Sequence, residues 1–172
     1  MKNRWSMTAL VILAGALALS LALTPSAALA KQYVYSGTPA FTVTYPDTWE
    51  ESSDNPSKVT FRTKLTNSLP TMDINVLDLD PGATVDDLGK KLYKKRLEKL
   101  QMTSAAVASN NLTKTKDGTP AVETVYTWMY QGIVELQSTF LGAIKGNKYV
   151  YVVIHQYPGE PMWDAPRSLT FK

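Results

Sequence analysis

The sequence predicts an α+β fold: an antiparallel β-sheet meander flanked by one main amphipathic helix and a short C-terminal helical turn. Three observations predict it. Apolar and polar residues alternate with a period of two in several short stretches, the segment 84–102 has the helical period instead, and tight-turn dipeptides divide the second half of the chain at regular spacing.

The first strands are predicted from period-two alternation. Residues 41–45 alternate aromatic residues or Val with Thr before Pro46-Asp47 turns the chain, and the same period recurs at 59–64 and 72–76. Each stretch is typical of a strand with one buried face. Residues 51–58, rich in Ser, Asp, Asn and Pro, are predicted to form a surface loop.

The segment 84–102 is predicted to be an amphipathic helix. Thr84 and Asp87 have the spacing of a capping box, and Pro81-Gly82 separates the helix from the preceding strand. At 100° per residue the large apolar side chains share one half of the helical wheel. Gly89 weakens the middle of this helix and favours a close approach by a neighbouring backbone.

Four extended runs follow the polar stretch Ser109-Asn110-Asn111. They span 112–116, 121–130, 133–144 and 149–156, separated by Asp117-Gly118, Gln131-Gly132 and Gly146-Asn147. Asp-Gly and Gly-Asn favour the positive φ of hairpin turns, so the runs are predicted to form an antiparallel meander. The last run is apolar on both faces, which predicts a central strand covered on both sides.

The first 30 residues are predicted to be a cleavable signal peptide. Lys2 and Arg4 precede an uncharged apolar run, Met7 to Leu23, and Pro25 ends it before the small-x-small triplet 28–30. The run is slightly shorter than the roughly 20 residues that span a bilayer, so a retained signal anchor is the alternative. Cleavage after Ala30 would leave one domain, residues 31–172, in the periplasm or secreted, with no stable membrane span.

The charge and the absence of cysteine exclude several classes of function. Without Lys2 and Arg4, 16 basic residues face 15 acidic ones, so no global field would attract nucleic acid. The chain has no cysteine, which rules out thiol catalysis, a lipid-modified cysteine and cysteine-ligated metals. No cofactor is expected.

Several motifs together resemble the PsbP/Mog1-like superfamily, including its exported bacterial members. They are Phe41-Thr-Val-Thr-Tyr-Pro-Asp-Thr-Trp49, Gly118-Thr-Pro-Ala121, the long hairpin, the Tyr-rich strand 149–156 and the final Arg167-Ser-Leu-Thr-Phe171. The resemblance covers most of residues 33–172. It implies an antiparallel sheet flanked by helices and a non-catalytic accessory or assembly role, and it transfers no ligand-binding residue.

The chain departs from that family before its last strand. The family commonly places a full helix there, whereas Pro158, Pro161 and Pro166 leave room for about one turn around Met162 to Ala165. The sequence therefore does not determine which element covers the second face of the sheet.

Two sets of residues are candidates for binding. Six basic residues between 90 and 99 face only Glu98, so Lys91, Lys94 and Lys95 could dock an acidic protein or anionic head groups; the alternative is a solvated face. Aromatic residues share faces of two later strands and would form a ligand surface if those faces coincide on a thinly covered side; otherwise they are core. These aromatic residues are Tyr126, Trp128, Tyr149 and Tyr151.

Catalytic and metal sites have weaker support. His155 is the only histidine, and Ser138 or Ser168 could be brought near it by strand pairing, but no Gly-x-Ser-x-Gly motif is present. Asp78 and Asp80 begin a calcium-loop pattern that lacks the third ligand and the closing Glu.

The sequence therefore predicts an exported, non-catalytic binding protein of the bacterial envelope that recognises a protein or envelope component. The alternatives are a carrier of a small apolar ligand with an aromatic pocket, and a His155-dependent hydrolase.

The cleavage site gives a direct prediction. The intact mass of the exported protein should match a chain beginning at Lys31, because a small-x-small triplet ends at Ala30. An intact mass that still includes residues 1–30 would instead support the retained anchor. Ala28→Leu, which removes one small residue of the triplet, should reduce cleavage.

Overall fold

A computed structural model describes residues 30–55, 58–63, 69–100, 103–160 and 164–172. These residues form ten strands, one α-helix and one 3-10 helix. Residues 1–29 of the predicted signal peptide lie outside them. The elements are β1 (Ala30–Tyr35), β2 (Phe41–Pro46), β3 (Trp49–Asn55), β4 (Lys58–Thr63), β5 (Thr71–Asp78), α1 (Val85–Leu100), β6 (Thr103–Lys114), β7 (Pro120–Tyr130), β8 (Val134–Lys145), β9 (Lys148–Gln156), the 3-10 helix (Pro166–Ser168) and β10 (Thr170–Phe171).

The strands form two antiparallel sheets. The large sheet has seven strands in the order β3-β4-β5-β9-β8-β7-β6, and the small sheet has three in the order β1-β2-β10. The predicted meander is confirmed, because β6 to β9 are consecutive neighbours. Gly118 and Gly146, in the turns that join them, have φ of 87° and 62°, as hairpin turns of this kind require.

The large sheet lies between two hydrophobic cores. The first core separates it from the small sheet and includes Phe41, Phe61 and Phe171; the second separates it from α1 and includes Tyr126, Phe140 and Tyr149. The antiparallel α+β fold predicted from the sequence is therefore confirmed. The second covering layer, which the sequence left open, is the small sheet.

β9 is the central strand and contributes to both cores. Val150, Val152 and Ile154 face the first core, whereas Tyr149 and Val153 face the second. The two-sided burial predicted for this run is confirmed. A strand with both faces buried needs apolar residues at successive positions, which is the pattern of this segment.

Helix α1 packs on the large sheet by its Leu face, as predicted. The Thr84 hydroxyl accepts a hydrogen bond from the Asp87 backbone amide (3.2 Å) and donates one to the Asp87 carboxylate (2.6 Å), so the predicted cap is present. Leu88 and Leu92 pack against the second core. A Cβ atom on Gly89 would lie 2.9 Å from Val122, so the glycine permits close approach, although to a side chain of β7 rather than to backbone. Among the described residues, no helix is long and apolar enough to cross a membrane.

Two sequence interpretations were wrong at the sheet edges. The predicted surface loop 51–58 is largely β3, and the predicted break at Ser109-Asn110-Asn111 lies inside β6. Both are edge strands, each with one neighbour in the part of the chain that the structure describes. Polar side chains are tolerated at an edge because they remain solvated, while the neighbouring strand supplies the hydrogen bonds; polarity therefore mimics a loop.

The C-terminal segment closes over the first core. The Arg167 guanidinium donates hydrogen bonds to both carboxylate oxygens of Glu123, at 2.5 and 2.8 Å, and these bonds raise the pKa of Arg167. The Lys172 amide donates to the Ala40 carbonyl. A helical turn is predicted around Met162 to Ala165. Residues 162–163 of this segment are not among the residues that the structure describes, and a 3-10 helix follows at Pro166–Ser168.

Asp117 joins the β6–β7 turn to β10. Its carboxylate accepts hydrogen bonds from the Thr115 hydroxyl (2.6 Å), the Thr119 hydroxyl (2.7 Å) and the Phe171 amide (3.2 Å). Burial raises the pKa of Asp117, but these hydrogen bonds outweigh burial and leave the pKa below its usual value.

Asp117→Asn should lower the free energy of unfolding by about 1 kcal/mol near neutral pH, because the amide nitrogen cannot accept these bonds and the site is partly solvated. The folded-state pKa is depressed, so the stabilisation is present above the unfolded pKa of about 3.9 and is lost as the pH falls through the folded value. Urea unfolding at neutral and acidic pH measures both effects. Asp80→Asn, in the exposed loop before α1, is the control. If the loss of unfolding free energy in Asp117→Asn is as large at acidic pH as at neutral pH, the stabilising role of the Asp117 carboxylate is wrong.

Candidate functional site

The helix side of the large sheet carries both sets of candidate binding residues. Lys91, Lys94 and Lys95 lie on the outer surface of α1 and are exposed. The four aromatic candidates lie beneath α1, on the facing side of β7 and β9. The structure therefore places the two sets on the same side of the sheet, one in solvent and one in the core.

The exposed lysines of α1 differ in their partners. Lys90 forms an ion pair with Asp86, one turn earlier, at 2.5 Å. The hydrogen bond from Lys90 lowers the pKa of Asp86, and that bond raises the pKa of Lys90. No described residue forms an ion pair with Lys91, Lys94 or Lys95. The helix surface therefore retains a local positive charge on three adjacent side chains.

The aromatic candidates are packed against one another. Tyr126, Trp128 and Tyr149 are buried, and Tyr151 is half-buried against them. Phe140 contacts the Tyr151 ring with centroids 5.1 Å apart, and the Tyr149 and Tyr151 rings are 5.9 Å apart. The faces of β7 and β9 do coincide, as a ligand surface requires, but α1 covers them. Their burial favours the interpretation as core, and ligand binding by these residues stays a prediction.

Tyr149 has an uncommon environment within this cluster. Its hydroxyl is buried, has no hydrogen-bond partner among the described residues and lies directly over Gly142 of β8, where a Cβ atom would overlap it. Burial raises the pKa of Tyr149, and the neighbouring Tyr151 raises it further. The phenol is therefore held neutral, and Gly142 is required because no other residue leaves room for the ring.

Strand pairing brings Ser138 to His155, as the sequence allowed, but does not bring Ser168. Ser138 Oγ lies 2.6 Å from His155 Nδ1 and accepts a hydrogen bond from Trp128 Nε1 at 2.9 Å. Ser168 instead accepts a hydrogen bond from the Thr44 amide at 2.7 Å, in contact with the small sheet. Ser138 is fully buried and His155 is 6% exposed, so a substrate could not reach the serine in this arrangement.

The participation of Trp128 in this network was not predicted. The signal that could have revealed it is the register set by the turns: Tyr126 pairs with Ser138 and Ser138 with His155, which places Trp128 on the same face and next to them. The Trp128 and His155 rings meet edge to face at 6.2 Å. The three residues form a buried polar link across β7, β8 and β9.

The acidic residues before α1 are separated from one another. Asp78 forms an ion pair with Lys148 of β9 at 2.5 Å, and the Asp80 carbonyl accepts a hydrogen bond from the Ala83 amide. Within the described parts of the chain, no group of three or more His, Asp or Glu side chains is placed to hold a metal ion.

Tyr149→Phe should raise the free energy of unfolding by about 1 kcal/mol, because a buried hydroxyl without a partner costs about 1–3 kcal/mol that the phenyl ring does not incur. Tyr157→Phe, at an exposed position, is the matched control and should change stability little. Urea unfolding measures both variants. A loss of stability in Tyr149→Phe would show that the hydroxyl is satisfied in the folded protein.

Comparison with solved structures identifies the same architecture elsewhere. No protein-family model matches the sequence, and no curated protein matches it. The solution structure of cyanobacterial PsbP (CyanoP) from Synechocystis sp. PCC 6803 has a TM-score of 0.67 at 13% identity, covering 87% of this chain and 96% of that protein. The Ran-binding protein Mog1p of Saccharomyces cerevisiae has a TM-score of 0.59 at 7% identity, covering 76% of this chain and 78% of Mog1p.

A Bacteroides thetaiotaomicron protein has a TM-score of 0.53 at 15% identity, and the match covers 83% of this chain but 48% of that protein. At such low identity these similarities concern the fold alone. The chain has the PsbP/Mog1-like fold that its sequence motifs predicted.

Proposed function

We propose that the chain is an exported, non-catalytic accessory domain that binds an acidic surface of a partner protein in the bacterial envelope through Lys91, Lys94 and Lys95. The observation that carries this proposal is the local charge of α1. Three adjacent lysines are exposed without a described counter-ion, whereas the neighbouring Lys90 is neutralised by Asp86.

The helix presents these lysines on a rigid support. Its first turn is capped by Thr84, Gly89 lies against Val122, and Leu88 and Leu92 pack into the second core. A preformed surface loses little conformational entropy on binding, apart from the ordering of the lysine side chains themselves. The charge is therefore displayed in a fixed geometry, which favours recognition of one complementary surface.

The domain as a whole is almost electrically balanced, with 16 basic and 15 acidic residues after Ala30. The excess of positive charge on α1 therefore orients the molecule towards one partner surface, and the domain as a whole does not attract every polyanion. This balance favours a defined acidic protein surface over nucleic acid.

Export is proposed from the sequence. The basic start, the apolar run from Met7 to Leu23 and the triplet 28–30 are typical of a signal peptide. Strand β1 begins at Ala30, so cleavage after that residue would leave Lys31–Tyr35 of the strand to pair with β2. Periplasmic or secreted location follows from this reading.

Two further observations support binding over catalysis. Ser138 and His155 are engaged in a buried network with Trp128, which gives the hydrolase hypothesis no accessible nucleophile. Mog1p, which has the same fold, is a Ran-binding protein, so this architecture can serve protein recognition. That similarity does not identify the partner of this chain.

The second candidate function is a carrier of a small, largely apolar ligand, and the observation that favours it is the buried Tyr149 hydroxyl, which no described residue hydrogen-bonds. A ligand would have to displace part of the packing beneath α1 to reach this group. Such a ligand should raise the melting temperature of the wild-type protein and not that of Tyr149→Phe.

Reversing the charge of Lys91, Lys94 and Lys95 to Glu should slow association with the envelope partner by about tenfold or more, because local charge steers encounter and orients docking. The measurement is affinity capture from an envelope extract, followed by association kinetics with the captured protein at several salt concentrations. Wild-type binding should weaken as salt increases.

The matched control reverses three exposed lysines away from α1, Lys31, Lys116 and Lys172, and so changes the net charge by the same amount. It should retain partner binding. Equal capture by the α1 variant and the wild type would remove α1 from the proposed function.

A further inference from the structure

Strand β6 is one edge of the large sheet, and its two halves differ. Among the described strands its only neighbour is β7, and the pairing is irregular between Thr103 and Ser109, where Ser104 has a positive φ of 54°. From Ser109 to Lys114 the pairing with β7 is regular. The second half of β6 is therefore regularly paired with β7 on one side, and no described strand pairs with its other side.

The turn that follows β6 shows which backbone groups face outward. The Thr115 amide donates to the Thr119 carbonyl, so this pair is hydrogen-bonded across the hairpin. Bonded and non-bonded pairs alternate along an antiparallel ladder, and Lys114 faces Pro120, which has no N–H to donate. The N–H and C=O groups of Asn110, Leu112 and Lys114 therefore point away from β7, on the side where no described strand pairs with them.

This open edge lacks the protection that the opposite edge has. On β3, the other edge of the large sheet, Glu50 and Glu51 are exposed, and the pairing is irregular between Ser52 and Asn55. Charges and irregular pairing prevent the addition of further strands. Between Ser109 and Lys114 the β6 edge has no proline, no irregularity and one charged residue, Lys114.

We infer that two copies of this chain pair through β6, antiparallel, with Leu112 on the twofold axis. Leu112 is the middle of the three residues whose backbone groups face outward, so this register matches each outward N–H with a C=O of the other copy. The two large sheets then form one continuous sheet. This interface goes beyond the proposed recognition of an acidic partner and does not use Lys91, Lys94 or Lys95.

The side chains at this edge complement a second copy. Leu112 is 71% exposed, and on the axis it would contact the same residue of the other copy. In this register Lys114 of each copy faces Asn110 of the other. The Asn110 side chain donates a hydrogen bond to Asp86 at 3.4 Å, so each Lys114 would lie near the Asp86–Lys90 ion pair rather than opposite another lysine.

The same features disfavour an open chain of copies. Pairing of β6 with β3 of another copy would generate a filament, because the contact surfaces differ and the rotation need not close. The irregular pairing of β3 opposes that arrangement. The twofold pairing of β6 with itself closes after two copies.

Leu112→Lys tests the interface by placing two like charges on the axis. Ile133→Lys is the matched control, since Ile133 is 79% exposed at the tip of the β7–β8 hairpin. Full-length protein, expressed with its N-terminal segment and purified as the cell processes it, is measured by sedimentation equilibrium over a range of concentrations. Wild type and Ile133→Lys should have the mass of two chains, and Leu112→Lys the mass of one, with unchanged circular dichroism.

A second variant gives a covalent readout. The chain has no cysteine, so Leu112→Cys introduces the only thiol, and mild oxidation should link two chains because facing residues of an antiparallel pair lie within disulfide reach. Ile133→Cys should remain a single chain under the same conditions.

Three results would overturn the inference: wild-type protein with the mass of one chain at every concentration, a dimer that persists in Leu112→Lys, or equal cross-linking of Leu112→Cys and Ile133→Cys. Binding of a different protein's extended segment at β6 would appear as monomeric wild type, and would equally exclude a second copy as the occupant.

Discussion

The burial of β9 on both faces is the constraint on which the rest of the structure depends. Val150, Val152 and Ile154 contribute to the core under the small sheet, while Tyr149 and Val153 contribute to the core under α1. Neither covering layer can be removed without exposing one face of this strand. The small sheet and α1 are therefore linked energetically through the strand between them, although they do not share a core.

Much of the central architecture could be predicted because local turn chemistry sets the register. The Gly146-Asn147 turn places Ser138 opposite His155, and the Gln131-Gly132 turn places Tyr126 opposite Ser138. The capping box at Thr84 likewise located the start of α1 within one residue. In these places a local residue pattern determines the geometry, so the sequence allowed Ser138 to lie near His155, although Ser168 does not, and it located the start of the helix.

The edges could not be predicted in the same way. β3 and the middle of β6 are built from Ser, Asn, Asp and Glu, which alone are typical of loops. Their strand conformation depends on hydrogen bonds to β4 and β7, and the composition of the edge segments themselves does not indicate these pairings. For the candidate site, the helical period was enough to predict that the lysines are exposed. The burial of the aromatic residues depends on where α1 packs on the sheet, and the helical period does not specify that position.

The order in which the small sheet is assembled has a consequence for passage across a membrane. β2 lies near the start of the described chain, but its partner β10 comprises Thr170 and Phe171, and the Lys172 amide bonds the Ala40 carbonyl. In the proposed export, a chain that crosses the membrane from its N terminus cannot complete this layer until Thr170 and Phe171 have emerged. One face of β9 lacks its full cover until then, so a chain exported in this way would remain incompletely folded during transit and complete its core only after crossing the membrane.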